Sequence, residues 1–381
     1  MTLKFDIEHL PSPCYIIDED LLLKNLELLQ SIQNYTECKI FLALKSFATW
    51  STFPMVKRYL AGTAASSLYE ARLGREEIGK ELHVYSPAYK TSEFEQLVEL
   101  ADCIIFNSVE QWKKFRPTVQ NSRKQISCGL RVNHGYSEVE IEIYNPARKG
   151  SRLGTPLEHI QEEDLEGLSG FHFHSLCEQN SDVLSRTLEI FEQKFSPFLK
   201  LLKWVNFGGG HYITAPNYNV SLLCDLIVDF KNKYDLDVYL EPGAAVVFNS
   251  GFLIATVLDV FSNETNIAIL DTSATAHMPD VLEMPYRPHI IGSALPGKKA
   301  FTYRLGGTTC LAGDVIGDYS FDKPLAIGDR LIFTDMAQYT MVKTTMFNGL
   351  QHPAIAIKKA GTQEVKVIRN FDYEDYKSRL S

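Results

Sequence analysis

The chain has 381 residues, 45% hydrophobic and 22% charged, which is enough for a sizeable core and, at about 150 residues each, for two domains. With 47 acidic against 38 basic residues the net charge is -9, so the basic footprint of a nucleic-acid binder is missing. No apolar run approaches the ~18 residues of a membrane span, and Asp6 and Glu8 stand where a secretory signal needs its apolar core. The 7 cysteines are odd in number and form no CxxC pair, so reduced thiols in the cytoplasm are expected.

From about residue 39 to 245 a short apolar, β-rich run ends in a polar residue or glycine and gives way to a segment of helical period. The runs are Lys39–Leu44, Leu60–Ala65, Leu82–Tyr85, Cys103–Phe106, Ile126–Val132, Gly170–Phe173, Trp204–Phe207 and Val238–Leu240. Helices are expected at Asp20–Ile32, Leu68–Ile78, Thr91–Leu100 and Asp182–Leu202. Alternating β and α implies parallel strands with helical crossovers, and eight such units fit an α/β fold of the (β/α)8 TIM-barrel type. An open doubly wound sheet is the alternative. After about residue 250, runs such as GFLIATVLDVF, NIAILDTS, DRLIFTDM and AIAIKKA are joined by turn residues, which predicts a second, mostly antiparallel β-domain. The expected boundaries are 19–249 for the barrel and 250–381 for the β-domain, with 1–18 added through the extended run CYIIDE.

A barrel places reactive residues at the carboxyl ends of its strands. Lys45 follows the strand IFLAL, where desolvation lowers an amine's pKa and exposes a nucleophile; an ordinary surface lysine is the plain alternative. Gly208, Gly209 and Gly210 follow WVNF and let the backbone approach a ligand and aim N–H groups at an anion, or form only a flexible turn. They make neither a Walker A loop nor a GxGxxG, so a nucleotide is not indicated. Glu241, before Pro242 and Gly243, is a carboxylate able to bind a protonated ring nitrogen or serve as a base. His172 and His174 alternate on one strand and share a face. That pair could ligate zinc in a barrel hydrolase, but the other histidines show no HxxH or HxxxH spacing, so no metal is expected; one imidazole stacked on an aromatic cofactor needs no further ligand. In GGTTCLAGD, Cys310 could donate a proton and Asp314 attract a cationic group, while Tyr339 in AQYTM could bind phosphate through its hydroxyl.

Together, in the order PCYIID, FLALKS, FHFHS, FGGG, EPG, HMPD, TTCLAGD, QYT and FNG, these motifs resemble the pyridoxal-phosphate decarboxylases of the alanine-racemase-like fold. That group includes the ornithine, arginine and diaminopimelate decarboxylases, and the likeness is strongest to its carboxynorspermidine (carboxyspermidine) branch. The resemblance implies pyridoxal 5′-phosphate bound covalently by Lys45, stacked by His174, with its ring nitrogen kept protonated by Glu241. It implies that Gly208, Gly209, Gly210, Gly243 and Tyr339 surround the phosphate. Cys310 would return a proton to the substrate carbon after carbon dioxide leaves, reaching the neighbouring subunit's site across a homodimer, with Asp280 and Asp314 as substrate contacts. The implied substrate is a carboxylated polyamine, and neither nucleic acid nor membrane is an expected partner. Relatives carry an arginine after Glu-Pro-Gly where this chain has Ala244, and Ser175-Leu176-Cys177 stand where many have Gly-Ser. Decarboxylation of diaminopimelate, ornithine or arginine is the nearest alternative, and a metal-dependent barrel hydrolase the alternative of another class.

Overall fold

The computed structural model describes residues 5–381, so of the expected 1–18 segment residues 1–4 lie outside the described residues. The chain divides into two compact units, Asn25–Val246 and the residues up to Lys24 together with Val247–Ser381.

The first strand, β1 (Cys14–Asp18), belongs to the second of these units. The unit Asn25–Val246 is built on β2 (Lys39–Ala43), β3 (Gly62–Ala65), β4 (Glu81–Tyr85), β5 (Cys103–Phe106), β6 (Ser127–Asn133), β7 (Gly170–His172), β8 (Trp204–Asn206) and β9 (Asp237–Leu240). Each pairs in parallel with the next, and β9 returns to β2 with Tyr239 opposite Lys39, so the sheet closes into a barrel. The eight apolar runs read from the sequence are these strands. Because all are parallel, their carboxyl ends share one mouth, and Lys45, His174, the 208–210 glycines and Glu241 all follow strand ends there.

The intervening helices begin where the sequence supplies caps. Ser67 Oγ accepts the Glu70 N–H while the Glu70 carboxylate accepts the Ser66 N–H. Ser108, Gln111 and Asn107 repeat the same exchange at Val109–Gln120. Each exchange satisfies helix-end donors that would otherwise be orphaned. The helix Thr91–Leu100 has its expected bounds. The segment read as one helix over 68–78 is α-helical only to Leu73 and then a π turn, Gly74–Ile78, where a Cβ on Gly74 would lie 2.5 Å from the Thr63 hydroxyl. The helix expected at 182–202 spans Ser181–Leu199.

Alternation along β7 sets the layers. Phe171 and Phe173 face the outer helices, packing edge-on against Phe195 at 5.7 Å and at a tilt against Phe191 at 4.8 Å, while His172 between them points into the barrel. Each buried ring contributes about 1.5–3 kcal/mol. In the lumen, the Trp204 indole lies against two glycines, with its N–H on Ser127 Oγ at 2.9 Å. A Cβ on Gly170 would come within 2.1 Å of that ring, and one on Gly129 within 2.3 Å. Gly170→Ala is therefore expected to destabilise the protein by about 1–3 kcal/mol through overpacking. Chemical denaturation checks this, and Trp204→Leu in the same chain should recover part of the loss.

The second unit is a mostly antiparallel sheet. Its strands are β1, β10 (Gly251–Asn263), β11 (Thr265–Leu270), β12 (Phe301–Gly306), β13 (Val315–Phe321), β14 (Arg330–Thr334), β15 (Ala354–Lys358) and β16 (Val365–Arg369). The spatial order is β13–β12–β11–β10–β1–β15–β16, with β14 also on β10. The segment CYIID thus sits inside this sheet, antiparallel to β10 and parallel to β15. Tyr15, Leu253, Val257, Leu305, Tyr319 and Phe333 contribute to its core.

Beyond β14, burial lifts the Asp335 carboxyl to about 6, against hydrogen bonds from the Asn249 N–H and the Gln338 amide. A raised carboxyl favours the folded state in its protonated form, so its contribution is full below the ordinary carboxylate value and lost as pH rises through about 6. Asp335 also has a φ of 59°, which asparagine tolerates well. Asp335→Asn is expected to raise the melting temperature under mildly alkaline conditions and to give no gain near the acid end of that window.

Candidate active site

The barrel mouth gathers Lys45, His174 and Glu241 into one electrostatic cluster, in which Lys45 feels the charges of Arg131 and Glu241 and His174 feels that of Lys45. Lys45 keeps open surface at the mouth while the barrel wall crowds its amine. That crowding, and then the Arg131 guanidinium, lower its pKa against Glu241 and Glu70, which raise it. The neutral, nucleophilic amine is thereby favoured.

Glu241, just beyond β9, is buried. Its Oε1 accepts the Asn206 side-chain amide at 2.7 Å, and its Oε2 lies 3.4 Å from His172 Nε2. Burial would raise this carboxyl, but His172, His83 and the Asn206 amide outweigh it and hold Glu241 well below the usual carboxylate range. Asn206 serves both neighbours, because its Oδ1 also accepts the Gly208 N–H at 2.8 Å. The next amide, Gly209 N–H, donates to His174 Nδ1 at 3.1 Å. A nitrogen that accepts carries no proton, and burial followed by the Lys45 and Arg131 charges holds His174 far below its usual pKa. His174 is thus a neutral ring whose position is fixed by the glycine turn.

Two of the three glycine amides expected to face an anion are therefore committed to protein acceptors. The turn itself demands glycine: φ is 71° at Gly208, and a Cβ there would lie 2.4 Å from the Phe173 carbonyl. At Gly210 a Cβ would lie 2.0 Å from the Leu176 carbonyl. Gly243 packs on Ser46, whose Oγ is buried without a hydrogen-bond partner.

Several functional side chains escaped the sequence reading. Arg131, buried in β6, donates to the His174 carbonyl at 3.2 Å and lies 4.7 Å from the Tyr85 ring. Tyr85 in turn stacks on His172 at 5.5 Å. Glu70 feels the Lys45 charge, and its carboxyl is raised by burial. The signal available was a polar residue inside an otherwise apolar strand, as in GLRVN, ELHVY and WVNF.

Cys310, Asp314, Asp280 and Tyr339 lie in the second unit. Cys310 is exposed, with its N–H on Asn348 Oδ1 at 2.8 Å. Asp314 is buried, and its oxygens accept from Ser273 Oγ, the Thr275 N–H, the Thr309 N–H and Thr309 Oγ1 at 2.6–3.2 Å. It ties the two flanks of the cysteine loop together, its oxygens engaged by donors of this chain. Asp280 is half-buried and pairs with Lys343 at 2.6 Å, which also reaches Glu283 at 2.5 Å. Tyr339 starts a short helix, Tyr339–Val342, and is half-buried. Among the described residues no group of three or more histidine, cysteine or acidic side chains is set to hold a metal, and no helix is long and apolar enough to cross a membrane.

The whole chain is similar to known proteins. A family model described as pyridoxal-dependent decarboxylase, C-terminal sheet domain, matches residues 14–337. A carboxyaminopropylagmatine decarboxylase of Synechocystis sp. is 45% identical, covering 98% of this chain and 96% of its own. A carboxynorspermidine/carboxyspermidine decarboxylase of Campylobacter jejuni is 43% identical over 98% and 99%. The crystal structure of carboxynorspermidine decarboxylase from Campylobacter jejuni, complexed with norspermidine, superposes with a TM-score of 0.90 at 42% identity, over 97% of this chain and all of that one.

Asn206 is the joint of the cluster. Asn206→Leu removes the amide from Glu241 Oε1 and leaves the Gly208 N–H without its acceptor, and a loss of about 1–3 kcal/mol is expected. Urea denaturation checks it, and Asn206→Asp should not restore the stability because it sets a second carboxylate against Glu241.

Proposed function

Because the chain belongs to the pyridoxal-dependent decarboxylases, we propose that it decarboxylates a carboxylated polyamine, carboxynorspermidine or carboxyspermidine, to norspermidine or spermidine. Pyridoxal 5′-phosphate is its cofactor. The observation that carries the reading is a buried carboxylate, Glu241, bound by the Asn206 amide beside His172 at the mouth of a barrel that places Lys45 just beyond a neighbouring strand.

The residues present fit the cofactor. A Cβ on Gly209 would fill the space beside His174, 3.0 Å from its ring and 2.6 Å from the Glu241 carbonyl, so glycine keeps that space open. Lys45 would hold the aldehyde carbon, His174 would lie against the ring, and Glu241 would keep the ring nitrogen protonated. Gly208, Gly209, Gly210, Gly243 and Tyr339 would surround the phosphate, the first two by giving space rather than hydrogen bonds. When bound, the group supplies an electron sink for the pair left on the α-carbon as carbon dioxide departs.

The chain's own work is to orient and to move protons. The crowding that lowers the Lys45 pKa would favour its amine as a nucleophile toward the cofactor's aldehyde. A neutral His174 would lie against the bound ring without adding a charge beside it. Cys310 would return a proton to the α-carbon, and its exposure lets the thiolate recover one from water. Asp314 shapes the Cys310 loop through Ser273 and Thr309. Asp280 remains the proposed contact for the substrate's cationic tail, in competition with Lys343. The reading takes the enzyme as a homodimer in the cytoplasm, in line with 7 cysteines, an odd number with no CxxC pair.

A second substrate, carboxyaminopropylagmatine, is favoured by the relative at 45% identity that is named for it. It differs in carrying a guanidinium, which binds carboxylates bidentately where an ammonium cannot.

Carbon dioxide release from purified protein with pyridoxal phosphate tests the proposal. The kcat/KM for a carboxylated polyamine should exceed that for diaminopimelate, ornithine or arginine by at least about tenfold. Faster turnover of diaminopimelate would contradict it. Lys45→Ala should reduce turnover to background and remove the bound-cofactor absorbance, and near-normal turnover would reject the lysine assignment.

A further inference from the structure

His172 stands out in the cluster around Glu241. It is 1% exposed, yet among the described residues neither of its ring nitrogens has a hydrogen-bond partner. Its Nε2 approaches Glu241 Oε2 at 3.4 Å, longer than a well-formed N–H···O bond. An imidazole turned over about its Cβ–Cγ bond would present carbon in place of Nε2. Packing, rather than hydrogen bonding, has to fix the plane of this ring.

Tyr85 supplies that packing. It ends β4, and its ring stacks on His172 with centroids 5.5 Å apart and planes 26° apart, a separation and tilt typical of offset stacking. The Arg131 guanidinium lies 4.7 Å from the same ring, a favourable placement for a cation against an aromatic face. Arg131 and His172 are register partners on the adjacent strands β6 and β7, so one tyrosine touches both.

The Tyr85 hydroxyl is fixed as well. It donates to Asn107 Oδ1 at 2.7 Å, and the same oxygen accepts the Gly154 N–H at 2.8 Å. The Asn107 amide donates to the Arg152 carbonyl at 3.0 Å. Thr155 pairs with Val132 near the mouth end of β6 and gives its hydroxyl to the Asn107 carbonyl at 3.0 Å. Tyr85 is thus held at its tip by a residue that also pins the segment 152–155, and at its ring by Arg131. What remains is a fixed wall for His172.

We propose that Tyr85 is a positioning residue acting through His172: its stacked ring keeps Nε2 aimed at Glu241, and its tie to Asn107 keeps that ring in place. The effect on turnover rests on the function proposed above; the orientation of His172 does not.

Two variants separate the ring from the hydroxyl. Tyr85→Leu should lower kcat for a carboxylated polyamine by about tenfold or more, with KM changed by less than about threefold. Tyr85→Phe keeps the stack and should hold kcat within about threefold of the native enzyme. In a His172→Gln background, Tyr85→Leu should cost less than about twofold in kcat, because the group it positions is gone. Crystal structures of both full-length variants read the orientation directly: the His172 ring should turn away from Glu241 in Tyr85→Leu and stay in place in Tyr85→Phe. Equal losses in the two variants, a change confined to KM, additive losses in the His172→Gln background, or an unmoved His172 in Tyr85→Leu each overturn the proposal. If the native protein shows neither bound-cofactor absorbance nor turnover, the functional reading falls, and the two variant structures still decide whether Tyr85 positions His172.

Discussion

A carboxylate inside a closed barrel is costly unless several donors hold it, and the architecture of this barrel is organised around holding Glu241. Asn206 binds one oxygen, His172 approaches the other, and His83 waits behind. The same Asn206 pins Gly208, the glycine turn then pins His174, and Arg131 holds the His174 carbonyl. Strand closure between β9 and β2 is what brings Glu241 round to Lys45. Without that charge, neither the lowered amine nor the neutral imidazole beside it would form a coherent site.

Much of this was legible in the chain. The alternation of apolar runs and helical segments gave eight strands and a closed parallel sheet, because each run is short, β-rich and ended by a residue that cannot continue it. The strand ends gave Lys45, His174 and Glu241, because a barrel places its chemistry there. His83, Arg131 and Asn206 were not legible as members of this cluster, since each reads as one polar residue in an apolar strand until closure shows what it pairs with. His83 and Glu241 are 158 positions apart and meet only across the lumen.

The glycines and Asp314 show something else that spacing does not carry, namely that local structure uses the hydrogen bonds of a motif read for a ligand. The amides of Gly208 and Gly209 serve Asn206 and His174. The Asp314 carboxylate serves Ser273, Thr275 and Thr309 across the cysteine loop. Spacing reveals that such residues matter, but not whether their hydrogen-bonding capacity is spent inside the protein. The substituted position Ala244 belongs with these: the one-turn helix Ala244–Val247 forms with alanine there, and the guanidinium buried near the mouth comes from Arg131 on another strand.

The central claim is that the Lys45 amine takes the aldehyde of pyridoxal phosphate within the reach of Glu241. Borohydride reduction of the purified, cofactor-loaded protein followed by peptide mass spectrometry measures it. The account predicts a phosphopyridoxyl group fixed on the peptide containing Lys45 and on no other lysine at comparable yield. Reduction that labels a different lysine, or none while the protein is active, would contradict it.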